Sequence, residues 1–211
     1  TTLAWSSAAS DVYKRQNAAT YDVSSTAADN NGSIDLAATT DVKFQTSNDA
    51  ITFSTGKIEL GNGADLEVTA GTGAISVYGI VGNSYETVLL TTNAGGAGGT
   101  VTLGAGGIGS GTTISDVNMD GATITLGGNI TTAGTGSEAN TTLKGDVDFD
   151  GNVVISGSVT IDTDVSGTAN DGVIDFNGGG SNTINAASSG SDSLTIPVSY
   201  THLTLPTTKQ V

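Results

Sequence analysis

The chain has no cysteine, one histidine, two prolines and six basic residues among its 211 positions. The absence of cysteine excludes a disulfide scaffold, a thiolate metal site and a cysteine nucleophile. Aromatic residues make up 5% of the chain, so any core must be built from aliphatic side chains. No run reaches the roughly 18 apolar residues that a membrane-crossing helix requires. No 3.6-residue period persists, so amphipathic helices are not expected. The scarcity of cations is set against 21 acidic residues and a formal charge of −15. Nucleic-acid affinity comes mainly from Lys and Arg neutralising phosphates, and attraction to anionic lipid needs the same cations. Nucleic acid and membrane are therefore excluded as partners.

Both ends differ in composition from the rest. Residues 1–16 contain no apolar h-region of a secretory signal. The string SSAASDVYKRQ at 6–16 resembles a transposon-type library adaptor translated in frame. The reverse complement of that DNA, in one frame, encodes the VSYTHLTLPT found at 198–207. The expectation is that 1–16 and 197–211 are adaptor-derived tails and that 17–196 is an internal fragment of a longer protein. Trp5, Lys14, Arg15, Pro197, His202 and Pro206 then carry no functional argument. The remaining segment keeps Lys43, Lys57 and Lys144 against twenty acidic residues, a formal charge of −17.

Composition places this segment near the boundary of disorder, and pattern decides for a folded chain. A short unit recurs: Gly or Asp, any residue, apolar, polar, apolar. It stands as GSIDL (32–36), DAITF (49–53), GAISV (73–77), GTVTL (99–103), GDVDF (145–149), GVIDF (172–176) and DSLTI (192–196), with ATITL (122–126) lacking the leading glycine. The first apolar residues are Ile34, Ile51, Ile75, Val101, Ile124, Val147, Ile174 and Leu194, separated by 17, 24, 26, 23, 23, 27 and 20 residues. Alternation with period two, in segments rich in Thr, Ile and Val, is the strand signal. Further apolar residues keep step: Ile58, Ile80, Ile108, Ile130 and Val153 about six positions on, and Leu66, Val88, Ile114 and Val159 about thirteen on. The unit at Ile124 has no third partner, because TTAGTGSEAN (131–140) reads as a loop. Gly, Asn and Asp between the units supply turns. Three short strands per repeat of about 23 residues predict an all-β fold, a right-handed parallel β-helix, in which stacked repeats share one thin core. Eight coils at about 4.8 Å spacing would make a rod of roughly 40 Å.

The segments GTGAISVYGIVGNSYETVLLTTNAGGAGGTVTLGAGGIGSGTTISDVNMDGATITLGGNITTAG and VDFDGNVVISGSVTIDTDVSGTANDGVIDFNG resemble the strand-repeat regions of large bacterial surface exoproteins. These regions are similar to filamentous-haemagglutinin-like adhesins. The resemblance implies secretion across a Gram-negative envelope through an outer-membrane partner pore. It also implies display at the cell surface as a long stalk, with a host-cell or biofilm glycan or protein as receptor. It supplies no catalytic residues.

Four stretches carry residue patterns that bear on chemistry. Asp146, Asp148, Asp150 and Gly151 in DVDFDGN match the opening of an EF-hand loop, whose closely spaced oxygens suit Ca2+. The twelfth position is Gly157 where a bidentate Glu is needed, so solvated aspartates on a strand edge are the better expectation. GNGADLEV (61–68) is one incomplete copy of a calcium-binding nonapeptide that works only in tandem. GGAGGTVTLGAGGIGSG (95–111) has neither the following helix nor the lysine of a phosphate loop, and is expected to form loose turns. Asp162 and Asp164 are a carboxylate pair of the kind that hydrolyses neutral glycans, placed by alternation on an outer face. No catalytic, cofactor or metal residue is therefore assigned, and the expected role is non-catalytic. The rivals are a trimeric phage tail-fibre or tailspike segment, a polysaccharide-active enzyme and an ice-binding surface. The last is disfavoured because the outward residues mix Thr, Ser and Asp.

Overall fold

The computed structural model describes residues 19–21, 33–36, 41–61, 63–82, 85–92, 98–110, 114–134, 145–163, 172–176 and 182–197. These residues contain no helix and fifteen strands. In chain order they are β1 (Ala19–Tyr21), β2 (Ile34–Leu36), β3 (Val42–Gln45), β4 (Ile51–Leu60), β5 (Leu66–Thr69), β6 (Ile75–Val81), β7 (Glu86–Thr91) and β8 (Thr100–Ile108). They continue as β9 (Ile114–Leu126), β10 (Ile130–Thr131), β11 (Val147–Ile155), β12 (Ser158–Asp162), β13 (Ile174–Asp175), β14 (Ile184–Ala186) and β15 (Ser193–Thr195).

Every strand pairing among the described residues is parallel, and each joins residues 22 to 35 positions apart. The pairings fall into three rows. In the first, Ala19, Ile51, Ile75, Val101, Ile124, Val153 and Ile184 are successive partners. In the second, Ile34, Ile58, Ile80, Ile108, Ile130 and Ile161 are partners, and Val159 adds Leu194. In the third, Val42, Leu66, Val88, Val117, Val147 and Ile174 follow one another.

Apolar residues of all three rows meet in one core, so the sheet wraps around it. The middle members, from Ile51 to Ile161, are buried, and Ile34, Ile174 and Leu194 pack against its ends. Burying each such side chain contributes about 1.5–3 kcal/mol. The four phenylalanines sit among the aliphatics, Phe53 and Phe149 in the core and Phe44 and Phe176 against it. Phe44 meets Phe53 edge to face at 5.2 Å, and Phe149 stacks on Phe176 at 5.0 Å.

The longest strands turn corners between rows. β4, β6, β8, β9 and β11 each pair in one row at the start and in another at the end. The register slips at these corners, between Asp150 and Asn152 for instance. Gly151 stands there because a Cβ would run into the Gly121 carbonyl oxygen of the neighbouring strand.

The period-two alternation predicted from sequence is present: β4 begins Ile51 buried, Thr52 half-buried, Phe53 buried, and β11 and β12 alternate similarly. The register expected for the eight recurring units needs correction. Only Ile51, Ile75, Val101 and Ile124 share a column. Ile34 and Leu194 belong to the second row, and Val147 and Ile174 to the third. Val153, expected six positions on, continues the first row from Ile124. Val159 lies in the second row, and Ile114 pairs with Glu86. First-row separations are 24, 26 and 23 residues from Ile51 to Ile124, then 29 and 31. The local pattern repeats, but the row a unit joins depends on the length of the connections before it. The missing third partner of Ile124 and Ile130 is Val147, reached across a longer connection. The adaptor-like residues 1–16 and 198–211 lie outside the described residues.

Candidate functional site

The acidic residues are concentrated along the third row. Asp41, Asp65 and Asp146 stand just before β3, β5 and β11, and Asp116 lies in β9 just before Val117. The Asp65 carboxylate accepts the Thr87 N–H at 2.7 Å, and Asp41 accepts the Asp65 N–H at 3.4 Å. Asp116 Oδ1 accepts the N–H groups of Gly145 and Asp146 at 3.0 and 2.9 Å, and Asp146 Oδ1 accepts that of Val173 at 2.7 Å. Each carboxylate thus caps the backbone of the strand that enters next. Asp192 reaches back to accept the Gly157 N–H at 2.8 Å, and the amide oxygens of Asn129 and Asn152 accept the Thr160 and Thr183 N–H groups ahead of them. An N–H at a corner has no ladder partner, and a side-chain oxygen supplies one.

This explains most of DVDFDGN. Asp146 is a cap, Val147 and Phe149 point into the core, and Gly151 makes the corner. Asp148 is half-buried and Asp150 exposed on the outer side. Asp148 faces Asn118 and Asp175 in the ladder, and Asp150 faces Asp120. Asn118 Nδ2 donates to Asp148 Oδ2 at 3.2 Å. Desolvation, with the neighbouring Asp175, Asp150 and Asp146 charges, raises the Asp148 carboxyl above its ordinary value. Asp120 is raised likewise, by desolvation first and then by Asp150 and Asp148. Among the described residues, no three carboxylates or histidines converge as a metal cluster.

The other sequence candidates resolve as follows. In GNGADLEV, Leu66 and Val68 are buried and Asp65 is a cap. Within the glycine-rich stretch, Gly104–Ile108 belong to strand β8, which corrects the expectation of loose turns. A Cβ on Gly106 would meet the Tyr78 ring at 2.8 Å, and a Cβ on Gly79 would meet the Gly106 backbone at 2.7 Å. The glycines therefore permit close strand approach at a corner. Asp162 ends β12, half-buried, while Asp164 lies outside the described residues.

Sequence reasoning missed Glu86. Its side chain is fully buried, and Oε1 accepts the Gly63 N–H at 3.3 Å. The signal was its parity, since Glu86, Val88 and Leu90 share the inward face of β7. Buried Thr46, Thr92 and Thr132 also work inside the turns, donating to the carbonyls of Asp49, Gly99 and Gly145. Among the described residues, the partly exposed ion pair of Lys43 with Glu67 at 2.6 Å links β3 to β5 and holds the Glu67 carboxyl below its ordinary value.

The described acids thus serve as backbone caps or as outward charges, with one buried at a turn. Comparison with known proteins adds no relative: no family model matches the chain, and neither a curated protein nor a solved structure is similar to it.

Proposed function

We propose that the chain is a right-handed parallel β-helix serving as a non-catalytic stalk or adhesive segment of a large, secreted or surface-displayed bacterial exoprotein. One observation carries the reading: three rows of parallel strands, each strand partnered with one 22 to 35 residues away, around a single aliphatic core. A chain that winds around its core and returns to the same row makes this pattern. Right-handedness follows from the strong preference of parallel crossover connections. A solenoid gains length by adding repeats without changing its cross-section, which suits a spacer. Asp41, Asp65, Asp116, Asp146 and Asp192 are engaged in holding one strand to the next.

The parent would reach the surface through an outer-membrane partner, and its receptor would be a glycan or protein of a host cell or biofilm. The test has two parts. Small-angle scattering of the purified chain should give an elongated particle, and incubation with neutral and acidic polysaccharides should release no reducing ends. A spherical particle would refute the β-helix, and turnover abolished by Asp162→Ala would refute the non-catalytic role.

A further inference from the structure

The three rows differ in their outward residues. The second row presents Asp35, Lys57, Glu59 and Asp162, and the third presents Lys43, Glu67, Asp120, Asp148, Asp150 and Asp175. Among the described residues, the outward positions of the first row carry no charge. One of its outward columns runs Thr52, Ser76, Thr102, Thr125, Val154, Asn185. Beside it, Thr100, Thr123 and Asn152 are partners in a second column. The mixture of Thr, Ser and Asp expected from sequence is therefore sorted by row, with the acids kept off this face. The hydroxyls of Thr52, Ser76, Thr100, Thr102, Thr123 and Thr125 make no hydrogen bond to the described residues, whereas that of Thr69 bonds Glu67 and that of Thr72 bonds Asn48.

We infer that this face binds ice. Parallel strands set hydroxyls about 4.8 Å apart along each column, and a two-residue step separates the columns by about 6.6 Å. The spacing along a column is close to a repeat of water oxygens in hexagonal ice. Each threonine offers a hydroxyl to the lattice and a methyl that sits between hydroxyls. The β-branched side chains are stiff at χ1, so little rotamer freedom is lost on binding. An ion would orient water about itself and break the lattice, and this face has none in a chain of net charge −15. The inference rests on the three-row sheet and goes beyond the stalk reading: it makes the stalk an ice-anchoring surface.

The experiment is thermal hysteresis and ice-crystal shaping by the full chain, with circular dichroism on the same samples. The wild type should depress the freezing point below the melting point and facet the crystals. Thr102→Lys with Thr125→Lys should abolish both while keeping the β spectrum. Thr100→Lys with Thr123→Lys, in the other column, should do the same and serves if the first pair fails to fold. Gln45→Lys with Thr91→Lys, on the third row, should leave the activity intact. A wild type that freezes like buffer with its β spectrum intact overturns the inference and spares the stalk reading. Activity that survives both face variants overturns it as well. A random-coil spectrum overturns both readings.

Discussion

At the residue scale, stability is set by which side of the strand a side chain occupies. Ile124 is fully buried between Val101 and Val153. Ile124→Ala should cost about 2–4 kcal/mol through the cavity left in a thin core. Ile124→Asp should prevent folding, since it buries an unpaired charge. Asp148→Asn has the opposite sign, because it removes one charge from a cluster of four while an amide can still meet Asn118. The gain should stay below about 1 kcal/mol, because solvent still screens a half-buried group. Urea unfolding of the three variants checks the order, and equal midpoints would contradict the burial pattern.

The same aspartates fix a pH dependence. The Asp120 and Asp148 carboxyls are raised in the folded chain, so the folded state binds more protons than the unfolded one between the two pKa values. Their contribution is therefore most favourable below the unfolded value and declines as pH rises through the folded one. Glu67, lowered by Lys43, acts oppositely: its contribution is present above the unfolded value and is lost as pH falls through the folded one. Melting curves should show Asp120→Asn with Asp148→Asn raising the melting temperature at pH 7 and having a smaller effect at pH 4. A larger gain at pH 4 would overturn the assignment.

At the scale of the strand and its corner, the caps and glycines decide. Asp146→Ala leaves the Val173 N–H without its acceptor and should cost about 1 kcal/mol. Gly151→Ala forces a methyl against the Gly121 carbonyl, whereas a Cβ on Gly157 meets nothing within 4 Å. Both positions carry positive φ, so both variants carry backbone strain of about 1–3 kcal/mol. Gly151→Ala should be the less stable of the two by thermal melting.

Legibility in the sequence divides along the same line. Alternation within VDFDG and ITF announced strands and their inward faces, because burial acts on residues two apart. Row membership was hidden: Ile34, Val147, Ile174 and Leu194 carry the same local pattern as Ile51 and sit in other rows. The caps were hidden for a related reason. A bond such as that from the Val173 N–H to Asp146 spans 27 residues and leaves no local trace. Glu86 was hidden by its type, since a carboxylate at an inward position reads as an outward one until its turn is seen.

At the scale of the whole molecule, the core is closed in the middle and open toward the C-terminal end. Val173, Ile184 and Ile196 are 63%, 48% and 38% exposed, while Ile75, Val77 and Ile80 of β6, Val101, Leu103 and Ile108 of β8, and Val117, Ile124 and Leu126 of β9 are buried. Strands with little buried area open first. Hydrogen exchange should therefore be fastest in β13, β14 and β15 and slowest in β6, β8 and the second half of β9. Uniform protection would contradict this gradient.

The central claim, that three rows of parallel strands enclose one core, is tested most directly by disulfide trapping, because the chain has no cysteine of its own. One pair of cysteines is placed in each row at register partners: Ser76 with Thr102, Asp35 with Glu59, and Glu67 with Leu89. Neighbouring strands bring such residues within the Cα separation, about 4.4–6.8 Å, that a disulfide accepts. All three pairs should oxidise within the monomer, while Thr52 paired with Thr102, two strands away, should not. Failure of any register pair to close, or equal closure of the skipped pair, would contradict the arrangement.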